Sequence, residues 1–176
     1  MRGLGPTRQT LLGRRRLALA GFTLVEVGVA GIIIGLMAAI ALPAMKRMVL
    51  VSQANALAND LRVLSGALQS YAQQNGGYPA DANVGVVPTG LRDYSSSANW
   101  QKVTAIGGCF NWEAATQSLP ASPFRAAIAV NTSGSLRPST DRTLLLTIDQ
   151  RIDDGNLATG NFLLGNANQP LYIIER

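Results

Sequence analysis

A single carboxylate, Glu26, lies inside an apolar run that extends from Phe22 to Leu42. A charged residue at the centre of a membrane-spanning helix costs roughly 2.5–3.5 kcal/mol on insertion scales, and less toward the helix ends. The chemistry that suits a carboxylate there is an ion pair with an ammonium group, because the pair costs much less than either charge alone. An alternative interpretation needs no partner: one turn into the run, the carboxylate reaches the polar interface by itself.

The charges on the two sides of Glu26 differ greatly. Five arginines and no acid precede it: Arg2, Arg8, Arg14, Arg15 and Arg16. The positive-inside rule therefore predicts a cytoplasmic N-terminus and an extracytoplasmic remainder. These arginines account for the whole formal net charge of +5, since basic and acidic side chains beyond residue 21 are equal in number. Because that part has no excess of basic residues, we infer no direct nucleic-acid partner.

The sequence lacks one side chain that many enzymes use, and nothing in it marks a catalytic pair of carboxylates. The sequence has no histidine and one cysteine, Cys109. The lack of histidine removes the commonest general base, the Ser/His and Cys/His pairs of nucleophilic catalysis and the commonest zinc ligand. A lone cysteine cannot form an intramolecular disulfide, so we expect Cys109 to pack as a small apolar side chain. We interpret the protein as a non-enzyme, with calcium as its one candidate cofactor.

The apolar run Phe22–Leu42 is long enough to cross a membrane. As a helix, its 21 residues span about 30 Å, the thickness of the hydrocarbon core of a bilayer. Two alternatives treat it as an ordinary or twin-arginine export signal cleaved after Ala41, or as an uncleaved signal anchor. Neither alternative gives Glu26 a role.

The segment Gly21-Phe22-Thr23-Leu24-Val25-Glu26, set between a basic leader and an apolar helix, resembles the class III signal of type IV prepilins and type II secretion pseudopilins. The resemblance implies that residues 1–21 are a leader that prepilin peptidase removes after Gly21. It also implies that Phe22 becomes the N-methylated first residue, and that Glu26 pairs with the new amino group of Phe22 during assembly. Pro43 stands where many members of the family have a helix-kinking proline.

Residues 43–76 have the pattern of an amphipathic helix. Apolar side chains recur there in steps of three and four residues: Leu50, Ala54, Leu57, Leu61, Leu64, Leu68 and Tyr71. We predict one helix from Phe22 to Gln74, bent at Pro43, with this stripe against the protein's own sheet rather than in a coiled coil. The sequence Asn75-Gly76-Gly77-Tyr78-Pro79 ends the helix, because glycine suits a left-handed cap and proline prevents continuation.

Residues 77–176 are predicted to form a globular region built on an antiparallel sheet. Turn residues separate four strand-like segments: Ala126–Val130, Thr143–Asp149, Phe162–Leu164 and Leu171–Glu175. Residues 80–125 are expected to be a loop with short helical or strand pieces, including a helix near Pro88–Tyr94. Three aromatic residues are expected to anchor this loop to the core, with a sugar-binding platform as the less favoured role: Trp100, Phe110 and Trp112. The predicted fold class is α+β, a long helix packed on a small antiparallel sheet, as in type IV pilins.

Three acidic residues form a candidate metal site. Asp149, Asp153 and Asp154 lie close together around the sequence Asp153-Asp154-Gly155-Asn156. Oxygen ligands at this density suit calcium, and the resemblance adds that major pseudopilins have a calcium-binding C-terminal loop. The spacing is not that of an EF-hand, and Asp-Asp-Gly-Asn is also ordinary turn chemistry. On sequence alone the turn is the favoured interpretation.

The resemblance implies a structural subunit of a type IV pilin-like filament. Such a chain is held in the bacterial inner membrane by one span, with its globular part periplasmic, and then polymerises with copies of itself and with other pilin-like subunits. The implied partners are the prepilin peptidase/methyltransferase and an inner-membrane assembly platform. A lone cysteine, in place of the pair that closes the C-terminal loop of many adhesive pilins, favours a secretion pseudopilin or a minor pilin and does not decide between them. The interpretation adopted is a type II secretion pseudopilin that acts in protein export. The alternatives are a minor pilin for adhesion, motility or DNA uptake and, from another class, a monomeric membrane-anchored periplasmic binding module.

Overall fold

The computed structural model of the protein describes residues 21–95, 97–114, 124–165 and 168–176, without the side chains of residues 97 and 98. The predicted leader, up to residue 20, lies outside the described residues. The chain divides into two compact units, Met1–Leu42 and Pro43–Arg176.

One α-helix, α1, extends from Leu24 to Asn75 and contains Pro43. Because a proline nitrogen carries no hydrogen, Pro43 cannot donate to the carbonyl of Ala39, and the helix lacks one backbone hydrogen bond there. The bounds of α1 confirm the predicted helix Phe22–Gln74 to within two residues at each end. Its end is confirmed as well: Gly76 has φ +74°, a left-handed backbone that glycine adopts without strain.

The second half of α1 contributes one face to the hydrophobic core. Its buried residues all follow residue 53: Ala54, Leu57, Ala58, Leu61, Leu64, Ser65, Ala67 and Leu68. Leu50 and Tyr71 pack against the edge of the same core. Strand residues Phe110, Trp112 and Ile128 belong to this core too, so the predicted stripe packs on the chain's own sheet.

Four antiparallel strands form the sheet in the spatial order β1-β2-β4-β3. Their bounds are β1 Cys109–Ala114, β2 Ala126–Asn131, β3 Phe162–Leu164 and β4 Pro170–Glu175. The register of β2 against β4 shifts between Ala126 and Ala127. Two short helices, α2 and α3, and one 3₁₀ turn complete the described elements: Ser97–Gln101, Arg142–Ile152 and Leu91–Asp93. The α+β class and three of the four predicted strands are thus confirmed.

The fourth predicted strand, Thr143–Asp149, is wrong, because this segment lies in α3. The Oδ1 of Asp141 accepts a hydrogen bond from the backbone N–H of Thr143 at 2.8 Å, which caps the N-terminus of the helix. The buried positions of α3 follow helical spacing rather than alternation: Leu144, Leu145, Ile148 and Asp149. A run of leucine, isoleucine and threonine concealed that period in the sequence.

The predicted loop 80–125 contains the strand β1, which fits the expected short strand pieces but whose position was not predicted. The helix predicted near Pro88–Tyr94 is a single 3₁₀ turn. The anchoring role of the aromatic residues is confirmed: the indole N–H of Trp112 donates to the carbonyl of Pro79 at 3.0 Å. All three aromatic side chains are at most 1% exposed, which leaves no face for stacking on a sugar: Trp100, Phe110 and Trp112. Cys109 is buried with a free thiol, as predicted.

Candidate functional site

Glu26 forms a reciprocal hydrogen-bonded box with Thr23 at the start of α1. Its Oε2 accepts from the backbone N–H of Thr23 at 3.0 Å and from the Thr23 hydroxyl at 2.9 Å. In return, Oγ1 of Thr23 accepts from the backbone N–H of Glu26 at 3.2 Å. This is a capping box, in which both side chains satisfy N–H groups that have no partner inside the helix. The negative charge also suits the positive end of the helix dipole.

The capping box gives Glu26 a role that the sequence interpretation missed. The signal was present, since Thr-x-x-Glu directly before an apolar run marks a helix N-terminus. The box uses Oε2, and Oε1 of Glu26 accepts no hydrogen bond from the residues that the structure describes. One carboxylate oxygen therefore caps its own helix, and the other is available to a second partner.

The bond between Gly21 and Phe22 precedes the first helical residue, Leu24. Phe22 is 86% exposed, and a Cβ added at Gly21 would meet no atom within 4 Å. This bond therefore lies in exposed, non-helical backbone.

The first half of α1 is an exposed apolar surface. Every residue from Gly21 to Val49 is exposed, and the large apolar side chains among them include Leu24, Val25, Ile32, Ile34, Leu36, Met37 and Ile40. Within the described ranges, α1 is the one helix long and apolar enough to cross a membrane, by length and composition. Signal sequences share this pattern. An exposed apolar surface of this extent marks an interface with a membrane or with other protein.

The candidate calcium ligands Asp149, Asp153 and Asp154 do come together where α3 ends. One carboxylate oxygen from each lies within 4.8 Å of the other two. Asp149 is completely buried, and neither of its carboxylate oxygens has a hydrogen-bond partner among the described residues. A buried carboxylate without hydrogen bonds is unusual, because desolvation disfavours its charge.

The other two carboxylates are engaged by the turn that follows α3. Oδ2 of Asp153 accepts hydrogen bonds from the backbone N–H groups of Asn161 and Phe162. The two oxygens of Asp154 accept from a backbone N–H two residues on and from the Thr159 hydroxyl, at 2.8 and 2.6 Å. Turn chemistry therefore explains Asp153 and Asp154, whereas Asp149 has no part in it.

No protein-family model, curated protein or solved structure matches the chain. The described residues contain two candidate sites: the capping box at the start of α1 and the acidic cluster at the end of α3. The first belongs to the unit Met1–Leu42 and the second to the unit Pro43–Arg176.

Burial determines the electrostatics of the acidic cluster. It raises the pKa of Asp149 to about 6; the Asp153 and Asp154 carboxylates act in the same direction, and the nearby backbone N–H of Gly155 opposes the rise. The pKa of Asp154 is lowered instead, mainly by the hydrogen bond from Thr159. A cation beside Asp149 would stabilise its ionised form, whereas without one the charge destabilises the folded state.

The cluster fits calcium in part. Calcium takes about six to eight oxygen ligands. Neither oxygen of Asp149 accepts a well-formed hydrogen bond from the described residues, although the backbone N–H of Gly155 lies near. Oδ1 of Asp153 also accepts no hydrogen bond within the described part of the chain. Backbone carbonyls and water would have to supply the rest. The unpaired Asp149 is the observation that keeps calcium as a proposal.

We expect a calcium chelator to lower the melting temperature of the purified full chain, and Asp149→Asn to remove that sensitivity. A site that binds only the folded state stabilises it by about 2.7 kcal/mol at a free calcium concentration 100 times Kd. Asp149→Asn is a sharper test than Asp153→Ala, because Asp153 also holds backbone N–H groups of the turn.

The matched control for calcium is Asp93→Asn, an exposed carboxylate in the 3₁₀ turn, which should leave the sensitivity intact. One combination of results would contradict calcium binding. If the chelator has no effect and Asp149→Asn raises the melting temperature, Asp149 is an unpaired buried charge rather than a ligand.

Proposed function

We propose that the protein is a structural subunit of a type IV pilin-like filament, and more narrowly a type II secretion pseudopilin that acts in protein export. The observation that carries the proposal is the start of α1: a Thr23–Glu26 box beside the exposed Gly21–Phe22 bond, followed by an uncovered apolar helix. A long helix packed on a small antiparallel sheet supports the proposal at the level of architecture.

The exposed half of α1 needs a cover at each stage of this function. Before assembly the hydrocarbon of the inner membrane supplies it, with the basic leader in the cytoplasm and the globular region in the periplasm. In the filament, helices of neighbouring subunits replace the lipid. Gly28, Gly31 and Gly35 permit close approach because they have no side chain. A Cβ added at any of them would meet no atom within 4 Å, so no contact within the described chain requires glycine there.

Glu26 has a defined part in the proposed assembly. Removal of the leader gives Phe22 a charged α-amino group, which the prepilin peptidase/methyltransferase then methylates. The inner-membrane assembly platform then adds the subunit to the filament. There Oε1 of Glu26 accepts a hydrogen bond from the α-ammonium group of Phe22 on an adjacent subunit, while Oε2 continues to cap its own helix. The pair sets the axial register between subunits, because a charge left unpaired among apolar helices is costly.

The proposal has two alternatives. A minor type IV pilin of an adhesive, motility or DNA-uptake fibre belongs to the same class, and the buried, unpaired Cys109 is compatible with it as well as with the secretion assignment. A monomeric, membrane-anchored binding module belongs to another class. Trp100 and Trp112, the aromatic residues of its candidate binding loops, are buried and therefore not available for stacking on a ligand.

Mass spectrometry of the N-terminus, combined with shearing of cells, tests the proposal. We expect a chain that begins at Phe22 with a methylated amine and that is recovered in a filament fraction. A chain that retains residues 1–21, or that begins after Ala41, would contradict the proposal and favour the anchor or the export signal. A chain trimmed at Phe22 that never leaves the monomer fraction would contradict the filament.

A further inference from the structure

A groove of about 610 Å³ lies between the first turns of α1 after Pro43 and one face of α3. Its walls include Lys46, Arg47, Leu50 and Val51 from α1, and Thr147 and Arg151 from α3. All of these residues belong to the unit Pro43–Arg176. The groove thus combines charged side chains with an apolar wall.

All the charged side chains that line the groove are basic. Lys46, Arg47 and Arg151 are exposed, and none of them forms a salt bridge within the ranges that the structure describes. No acid lines the groove. The three acids on α3 and at its two caps are used elsewhere. Asp149 is buried, Asp141 caps the N-terminus of the helix, and Asp153 accepts hydrogen bonds from the turn that follows.

The basic residues of the groove on α1 lie just after the apolar run. Lys46 and Arg47 follow Leu42, the last residue of the apolar run, by about one helical turn, or roughly 6 Å of helix axis. Under the proposed function, on which this inference rests, that turn lies at the outer surface of the inner membrane. Basic residues on that side oppose the positive-inside rule, so topology does not explain them. Lipid phosphates lie at the same depth.

We propose that the groove binds the head group of an anionic phospholipid of the inner membrane. A guanidinium can bind two phosphate oxygens at once, and a lysine adds a point charge, so Arg47, Arg151 and Lys46 together suit one phosphate. Leu50 and Val51 offer an apolar wall to the glycerol and the first methylenes of the lipid. A free phosphate would leave that wall unused, which is why the lipid is the better occupant.

Native mass spectrometry of the mature chain, which begins at Phe22, measures how much of each lipid the protein retains. The chain is released from nanodiscs of equimolar phosphatidylglycerol and phosphatidylcholine. We expect the parent to retain phosphatidylglycerol in preference, and the double variant Lys46→Gln/Arg47→Gln to retain on the order of tenfold less of it, because each basic residue near an anionic surface adds to the attraction. Arg92→Gln/Arg137→Gln removes the same charge at exposed positions outside the groove and should behave like the parent.

Four results would overturn the lipid proposal. The first is equal retention of both lipids by the parent, and the second is equal loss in the two double variants. The third is displacement of the lipid by an equal concentration of inorganic phosphate, which would mean that the groove recognises phosphate alone. The fourth is a Lys46→Gln/Arg47→Gln chain that retains the lipid but fails to enter filaments, which would assign the groove to a second copy of the chain.

Membrane fractionation separates this inference from the proposed function. A parent chain found in neither the membrane nor the filament fraction contradicts the proposed function and the lipid site together. A chain that is trimmed at Phe22 and membrane-bound, but shows no lipid preference, contradicts the groove proposal alone.

Discussion

Glu26→Leu is expected to abolish filament assembly while export and membrane insertion continue. The substitution removes the ammonium partner, at a cost on the order of 3–5 kcal/mol for a broken buried pair, and the helix cap, at a cost of about 1 kcal/mol. Because the loss recurs at every subunit contact, growth of the polymer should stop. The measurement is the amount of subunit in sheared filaments relative to the membrane fraction, in cells that lack the parent copy.

Two further variants separate the ion pair from the cap. Glu26→Gln keeps a side chain that can close the capping box but removes the charge, so we expect it to fail in assembly as Glu26→Leu does. Thr23→Ala removes the hydroxyl of the box and keeps the carboxylate, so it should still assemble, with the helix start weakened by about 1 kcal/mol. The opposite ranking would show that Glu26 serves only its own helix, and the pairing mechanism would be wrong.

Gly21→Leu is expected to leave the precursor uncut in the inner membrane. Peptidase access requires extended, unobstructed backbone at the bond that is cut, and the Gly21–Phe22 bond is exposed and non-helical. A leucine side chain before that bond should obstruct the enzyme, while the single methyl group of Gly21→Ala should obstruct it much less and serves as the control. Intact mass distinguishes the full-length from the trimmed chain. Normal trimming of the leucine variant to Phe22 would falsify this cleavage site.

The long helix could be predicted from sequence because its signals are local. The steps of three and four from Leu50 to Tyr71 fix the buried face, and Asn75-Gly76 fixes the end, where φ is +74° at the glycine. The antiparallel strands β2 and β4 could be predicted for a similar reason, since turn residues flank short apolar runs.

Elements that depend on tertiary context were predicted less well. In α3, threonine and leucine favour a strand by composition. The helix forms because its buried face packs on the core and because Asp141 caps it by accepting a hydrogen bond from the N–H of Thr143. β1 lies in a region that is rich in turn-forming residues, and its first four residues are all buried, so it shows no alternation that a sequence pattern could reveal. Propensity is a weak guide where packing decides.

The candidate sites show the same division. The proximity of Asp149, Asp153 and Asp154 could be predicted from their spacing and is confirmed. The complete burial of Asp149 could not, because it follows from the helix that replaced the expected strand. The Thr23–Glu26 box has a sequence signature, Thr-x-x-Glu before an apolar run, but only an intermolecular partner was predicted for Glu26.

The hydrogen bonds at the start of α1 involve the N–H groups of Thr23 and Glu26 and none from Phe22. A cut after Gly21 therefore leaves this local geometry as it was. What it alters is a neutral amide, which becomes a cation beside the positive end of the helix dipole. Under the proposed function, the uncut subunit has the Glu26 carboxylate but no cation at the start of its apolar helix. The cut would add one there, so that each subunit could pair with the next at both charges, and because proteolysis is irreversible it would commit the chain to assembly.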